Sequence, residues 1–423
     1  MEINQTGMIQ KNIYKFSATR EETKEVHPDK YEKAAEIDIN KDFFLDEKEI
    51  KRYLVKEELL RDPSEFAVDE ENITDNFKLD LQNKHPMSIT AYPSYKELMT
   101  QLKDLERKYP DLVKTVSLGK TAEGREIMAL RIGKDIKDDR GNKPGVLITG
   151  LHHAREWMTL ATAQNVATNL LENYGTDEQV KHRVDSAEIW VVPLVNPDGY
   201  EYSRSKDSFW RKNRRPVYPS DVDPALAEFM TPGGDGTLGY GVDPNRNYYD
   251  GNPEHMKFYR PPGDTPSSID DDFSASSDIP RRETFRGPYG NSEKETQAIM
   301  NLWMNKKNIK AIVNHHSYGK LILYPWSATN EAVENKDTYI EIANKMSNAM
   351  GEEKYTVKQS SREYLASGIM DDFAHLNNKL AFTLEIGESF HEDESKIEAT
   401  SRLVYNADMA LLDWVLDHKE EKK

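Results

Sequence analysis

The sequence predicts an α/β protein: a single large mixed β-sheet flanked by helices, behind a small, mainly helical N-terminal segment. Three observations carry that expectation. Over about 330 residues, short apolar runs bounded by turn residues alternate with stretches at helical spacing. The 423 residues are 37% hydrophobic and 9% aromatic, enough to bury a large core. No apolar run approaches the ~18 residues needed to span a bilayer.

Residues 1–87 are polar and charge-dense and are expected to form a segment apart from a domain at 88–423. Regular patterning resumes at Tyr92-Pro93-Ser94-Tyr95. Leu98, Leu102 and Leu105 then recur at helical spacing, and Tyr109-Pro110 ends that helix. Val116–Leu118, Ile127–Ile132, Val146–Ile148 and Ile189–Val195 read as strands, with Gly124, Gly133 and Gly141 among the breaks. Leu160, Val166, Leu170 and Leu171 mark a helix after Trp157. Ala311–Val313, Leu321–Tyr324 and Leu380–Leu384 are later strands. The stretch 248–282, with Pro261-Pro262-Gly263 and a run of Ser and Asp, interrupts the alternation and reads as a surface insertion.

Composition removes whole classes of function. There is no cysteine, so disulfides, thiolate metal sites and a cysteine nucleophile are excluded, and any metal must be held by His and carboxylates. With 57 Lys+Arg against 74 Asp+Glu, the net charge is −17, which disfavours nucleic acid and anionic membrane surfaces as partners. The N-terminus lacks a basic start followed by an apolar stretch. That predicts a cytoplasmic protein by default, or an extracellular one if the chain begins after processing.

One constellation carries chemistry. Strand Val146–Ile148 runs into Gly150-Leu151-His152-His153-Ala154-Arg155-Glu156-Trp157, where His153 and Glu156 are three apart at a strand-to-helix turn. Asn314-His315-His316-Ser317-Tyr318 offers a further imidazole. Two His and one Glu with a position left open match a catalytic zinc site. The bare H-x-x-E spacing fits a charged loop with a partly buried His equally well. Glu385, set among Ala381, Phe382, Leu384 and Ile386, is costly in a strand unless it serves a site. Glu388 is its near alternative.

The segment around His153 resembles the zinc motif of the metallocarboxypeptidases, the carboxypeptidase A/B family. Further segments follow in the family's order: Phe209-Trp210-Arg211-Lys212, Gly241-Val242-Asp243-Pro244-Asn245-Arg246-Asn247, His316-Ser317-Tyr318 with Leu323-Tyr324-Pro325, Tyr364-Leu365-Ala366-Ser367-Gly368 and Phe382-Thr383-Leu384-Glu385. The resemblance covers about Tyr92 to the C-terminus and leaves 1–87 and 248–282 outside it. It implies one Zn2+ held by His153, Glu156 and His316, with Asp243 orienting a zinc histidine. It implies Glu385 as general base and Arg211 as oxyanion donor. Asn245, Arg246 and Tyr364 would bind the substrate's free carboxylate, with Arg155 along the entry path.

Seven residues beyond Tyr364, Asp371 falls at the base of the side-chain pocket, where the resemblance implies a preference for C-terminal Arg or Lys. Met370 and Ser327 could also shape a broader, mixed pocket. The expected function is therefore a zinc exopeptidase acting on peptide or protein C-termini. Relatives that hydrolyse bacterial cell-wall peptides or N-acyl amino acids, and a non-catalytic binding module, are the alternatives. In the N-terminal segment, residues 38–49 resemble an EF-hand loop: Asp38, Asn40, Asp42, Phe44 (through its carbonyl), Asp46 and Glu49 fall at ligand positions for Ca2+. Phe43 stands where that loop calls for glycine, and an acidic helix-loop holding no ion fits the same residues.

Overall fold

A computed structural model describes residues 89–136, 141, 143–260 and 275–418. The calcium-loop expectation at 38–49 lies outside the described residues. Apart from Arg204–Ser208, the described residues belong to one compact unit.

Helix α1, Tyr95–Lys108, opens with a reciprocal cap: Ser94 accepts from the backbone of Glu97, and the Glu97 carboxylate accepts from the backbone of Ser94. Its buried face is Leu98, Leu102 and Leu105, as the spacing predicts. Strands β1 (Val113–Lys120), β2 (Glu126–Ile132) and β3 (Gly145–Thr149) follow, then helices α2 (Trp157–Asn173) and α3 (Glu178–Ser186), strand β4 (Glu188–Val192) and helix α4 (Pro197–Ser205). The predicted strand over Ile189–Val195 stops at Val192, where Pro193 follows and cannot donate to a ladder. After helix α5 (Lys294–Asn305) come β5 (Ile309–His316), β6 (Leu321–Tyr324), helix α6 (Lys336–Ala349), β7 (Thr356–Gln359), helix α7 (Met370–Leu376), β8 (Leu380–Glu385) and helix α8 (Ile397–Asp417). Strand β7 escapes the sequence reading because Thr-Val-Lys-Gln is a polar strand at the sheet edge.

The eight strands form one mixed sheet in the order β1-β2-β4-β3-β5-β8-β6-β7. Its centre, β4-β3-β5-β8, is parallel. The antiparallel pairs are β1·β2, β2·β4 and β8·β6. Every residue of β3 and β4 is buried, as expected for parallel strands covered on both faces. Helix α2 is buried almost all round and packs against α8. No described helix is long and apolar enough to cross a membrane.

This order places the functional side chains. From β3 the chain steps to β4 on one side and later to β5 on the other, so the strand order reverses between β3 and β5. In open α/β sheets such a point, at the carboxyl ends of the strands, leaves a crevice for ligands. His153 and Glu156 follow β3, His316 is the last residue of β5 and Glu385 the last of β8. In the parallel β5·β8 ladder Glu385 is in register with His316.

The described flanks of the expected 248–282 insertion are mixed: Tyr248, Phe258, Tyr259, Ser277 and Ile279 are buried, whereas Gly251, Pro253, Glu254, Met256 and Lys257 are exposed. Nearby, Asn213 ties two functional segments together: it exchanges bonds with Val242 through N to O (3.0 Å) and Oδ1 from N (2.8 Å). Its Nδ2 donates to the buried carboxyls of Glu293 (2.7 Å) and Glu295 (3.1 Å).

Burial, reinforced by Glu293, pushes the Glu295 carboxyl up to about 8. The folded state therefore binds this proton more tightly than an unfolded chain, where the value is ~4.3. The associated stability is complete below about pH 4 and is lost as pH rises through 8. Glu295→Gln, which keeps a carbonyl oxygen to accept from Asn213 and removes the charge, is expected to flatten this decline. Between pH 6 and pH 9 the melting midpoint of the variant should fall by several degrees less than that of the wild type; parallel declines would refute the assignment.

Candidate metal centre and substrate cleft

The turn after β3 has a tight backbone. A Cβ on Gly150 would sit 2.5 Å from the carbonyl oxygen of Thr159, so only glycine fits. Buried Leu151 adopts φ 56°, in the left-handed region, and its N–H donates to Thr159 Oγ1 (2.9 Å). The chain then doubles back and aims His153 and Glu156 at one point, with Glu156 at the threshold of α2.

His153 Nδ1 lies 2.8 Å from Glu156 Oε1, and His316 Nδ1 lies 2.9 Å from Glu156 Oε2. The two Nδ1 atoms are 3.1 Å apart. All three residues are buried, and among the described residues no other three His or carboxylate groups gather so closely. Tetrahedral zinc with bonds of ~2.1 Å needs ligand atoms about 3.4 Å apart, so a small outward movement would admit the ion. Imidazole and carboxylate are also the donor types zinc prefers when thiolates are missing.

The protonation states agree. Burial, then the neighbouring His153, pushes the His316 imidazole down to about 4, so it is neutral at pH 7 with a lone pair to give. Burial opposes charge on Glu156, but His153 and His316 outweigh it and hold that carboxyl well below the usual range.

Asp243 supports the cluster from behind. Its Oδ1 is 3.1 Å from His153 Nε2 and accepts from Asn245 N (2.9 Å), while its Oδ2 accepts from Arg211 Nε (2.8 Å). A proton on His153 Nε2 leaves the Nδ1 lone pair facing the cluster. Burial works against ionisation of Asp243, yet Arg211, followed by His153 and Arg246, holds it well below the ordinary carboxylate value. The Arg211 segment is joined to the zinc turn by Ala154 N to Arg211 O (2.9 Å).

Asn245 and Arg246 form a short 3₁₀ turn after Asp243. Asn245 Oδ1 accepts from Met370 N (2.9 Å), which presents its amide nitrogen 3.1 Å from His316 Nε2. Arg246 donates from Nη1 to Asn245 O (2.8 Å) and from Nε to Ala275 O. The Tyr364 ring stands 5.9 Å from the Arg246 guanidinium, and Tyr364 itself is 52% exposed. Glu385 is half-buried, and burial, then Glu156, raises its carboxyl well above the ordinary value against the pull of Arg211 and Arg246.

Asp371 is buried in the first turn of α7. Its Oδ2 accepts from Thr383 Oγ1 (2.6 Å), while Oδ1 has no protein partner. Burial, opposed by the Thr383 bond, pushes it up to about 7. Its neighbour Asp372 has another task, accepting from the backbones of Ser327 (2.8 Å) and Ala328 (2.9 Å). Arg155 is not a lone positive charge: its Nη1 donates to both oxygens of Glu283 (3.0 and 3.1 Å), and the guanidinium lies over Phe390 at 4.3 Å.

Thr383 escaped the sequence reading, although strand alternation puts it on the same face as Glu385. Buried Asn196 also escaped it. Asn196 donates to the carbonyls of His152 (3.0 Å) and Lys212 (3.1 Å), bracing both the zinc turn and the Arg211 segment. Its position just before Pro197, the residue that opens α4, was its sole signal.

Against known proteins, the zinc carboxypeptidase family model matches residues 98–407. Carboxypeptidase B of Rattus norvegicus is 30% identical over 341 residues, covering 78% of this chain and 72% of the relative. Carboxypeptidase A1 of Mus musculus is 27% identical over 340 residues, with the same coverages of 78% and 72%. The crystal structure of carboxypeptidase A from Helicoverpa armigera has the same fold, with a TM-score of 0.64, 24% identity and 82% of each chain covered. The chain belongs to the zinc carboxypeptidase family. It is a zinc-dependent metallocarboxypeptidase, and the buried His153, Glu156 and His316 fit the metal that the family carries.

If Asp243 orients His153, Asp243→Asn should weaken zinc binding about 10–100-fold. Chelator competition followed with a zinc-sensitive dye measures this directly, and an unchanged zinc affinity would overturn the role.

Proposed function

We propose that this enzyme removes single residues from the C-terminus of peptides and proteins, and that it favours C-terminal Arg or Lys. The observation that carries the reading is the seat of the Arg246 fork. It is adjacent in sequence to Asn245, whose amide touches His316, so a carboxylate receptor lies beside the metal centre. A guanidinium binds a carboxylate in a planar, two-pronged fashion that fixes the position of the last peptide bond. Tyr364, exposed and beside Arg246, is available to close over the bound terminus.

His153, Glu156 and His316 are the proposed zinc ligands. When bound, zinc polarises the scissile carbonyl and acidifies water. Glu385 takes a proton from the attacking water and passes it to the departing amine, a role suited to a carboxyl that its surroundings make more basic. Arg211, held by Asp243 and charged throughout, donates to the oxygen that gains negative charge as the carbonyl is attacked. Asp371, with one oxygen unpartnered beneath the strand that carries Glu385, receives the cationic end of the substrate side chain. Residues 88–423 make up the catalytic domain in this reading, and 1–87 a separate acidic segment.

Peptides ending in Arg, Lys, Phe, Leu and Glu, each with a free or amidated terminus, test the whole reading. Only free termini should be trimmed, and steady turnover of amidated peptides would exclude exopeptidase action. Glu385→Gln is expected to lower kcat about 10²–10⁴-fold while zinc content stays at the wild-type level; unchanged turnover would remove the general-base role.

Asp371 is charged above pH 7 and neutral below it. The ratio of kcat/KM for Arg-ending over Leu-ending peptides should therefore fall as pH is lowered from 8 to 6, and should lose that dependence in Asp371→Asn. A ratio independent of pH, or a preference for Phe over Arg, would refute the pocket assignment.

A further inference from the structure

The stretch 248–282 reads as a surface insertion in the sequence, and the proposed chemistry gives it no task. Yet its described C-terminal flank, together with the residues that follow, lies against the proposed carboxylate clamp. Ala275 O accepts from Arg246 Nε. Ser276 Oγ accepts from Ser367 N (2.9 Å) and donates to Ser367 O (3.3 Å), gripping the root of the Tyr364 loop through its backbone. Phe285 O accepts from Asp243 N (2.8 Å), which ties the same segment to the carboxylate that orients His153 and Arg211.

Residues 275–286 are rigid for visible reasons. The segment closes on itself through Ser277 N to Thr284 O (2.9 Å) and Arg286 N to Ser277 O (2.9 Å). The Arg286 side chain is fully buried and donates to the carbonyls of Tyr259 (3.0 Å) and Ser276 (3.1 Å) and to Ser367 Oγ (3.4 Å). Asp278 lies between two arginines, 3.4 Å from Arg286 Nε and bidentate to Arg260 at 2.7 and 2.8 Å. The loop root is pressed against the clamp from the other side: Gly368 has φ 71°, and a Cβ there would fall 2.0 Å from Arg246 O. Gly368 is also held by Phe258 O, which accepts from its N–H (2.8 Å). Tyr364 and Leu365, a few residues earlier, are half exposed. The loop thus has a fixed root and a free tip.

We propose that residues 275–286 form a positioning strap for substrate binding. Through Ala275 O and Ser276 Oγ the strap sets the Arg246 guanidinium and the root of the Tyr364 loop before substrate arrives. An arginine side chain is long and rotamer-rich, and two of its nitrogens are already committed to carbonyls here. The entropy cost of ordering it therefore does not fall on the binding step. The strap touches no reacting atom, so its contribution belongs to ground-state and transition-state binding alike and appears in KM rather than kcat. This inference rests on Arg246 being the carboxylate receptor.

The test uses the full-length, zinc-loaded enzyme and a peptide with a free C-terminus. Ser276→Ala deletes both bonds to Ser367 with little change in volume. It is expected to raise KM about 3–10-fold, since part of the effect of the two lost hydrogen bonds falls on substrate binding, with kcat within twofold. Binding of free arginine as product, measured by calorimetry, should weaken by the same factor. Zinc content should stay at the wild-type value, the melting midpoint should fall by no more than a few degrees, and Ser276→Thr, which keeps the hydroxyl, should restore KM.

An unchanged KM in Ser276→Ala, or a fall in kcat matching any rise in KM, would overturn the strap. Arg246→Gln separates the two ideas. A large loss of product affinity in Arg246→Gln beside a silent Ser276→Ala sinks only the strap. Unaltered product affinity in Arg246→Gln removes the clamp, and the strap with it.

Discussion

The site depends on one buried carboxylate. Asp243 has no exposure to solvent, yet it stays ionised because Arg211 and His153 each engage one of its oxygens. Withdrawing a charge from water is costly unless partners replace the lost hydration. Asp243 has such partners on both oxygens, including the backbone N–H of Asn245. The arrangement works in both directions. Asp243 meets His153 Nε2 and Arg211 Nε, and those groups make its own ionisation tolerable. Removing one member would leave uncompensated charge in the interior, so the group behaves as a unit.

The sheet explains why residues so far apart in sequence meet. Parallel strands β3, β5 and β8 all end at one edge, and the reversal in strand order between β3 and β5 opens a crevice there. The turn after β3 and the last residues of β5 and β8 deliver the metal donors and Glu385 into it. The 3₁₀ turn at 244–246 approaches from the side, bringing a cationic fork to a protein with a net charge of −17. Arg211 and Arg246 lie close to the carboxylates of Asp243 and Glu385, and Arg155 is paired with Glu283.

Much of this was legible in the sequence. Helix α1 and the central strands follow from hydrophobic period and from glycine or proline punctuation, both local properties of the chain. The cluster that fits a metal was legible because His-x-x-Glu at a strand-to-helix turn is a local geometry, and because the ordered motifs around it resemble one family. Strand β7 was not, since a polar edge strand lacks the apolar signal of a buried one. In the 248–282 stretch, Ser, Asp and Pro mark a loop, but they do not say which of its residues pack inward, as Tyr248, Phe258 and Ile279 do. Asn196 and Thr383 act through contacts with segments distant in the chain, which no local pattern encodes.

By itself the sequence pointed to the family, to imidazole and carboxylate as the donors for any metal, and to the order of the apolar strands with helices α1 and α2. Those rest on residue type and short-range spacing, which the covalent chain carries directly. Tertiary structure decided the rest: which oxygen of Asp243 meets which partner, that Arg155 is paired with Glu283, and that Ser276 bonds to Ser367. Each is a contact between segments brought together only when the sheet closes its central strands and buries both of their faces. Hydrogen bonds depend on tenths of an ångström, and that precision arises from the packing of the whole domain rather than from any stretch of its sequence.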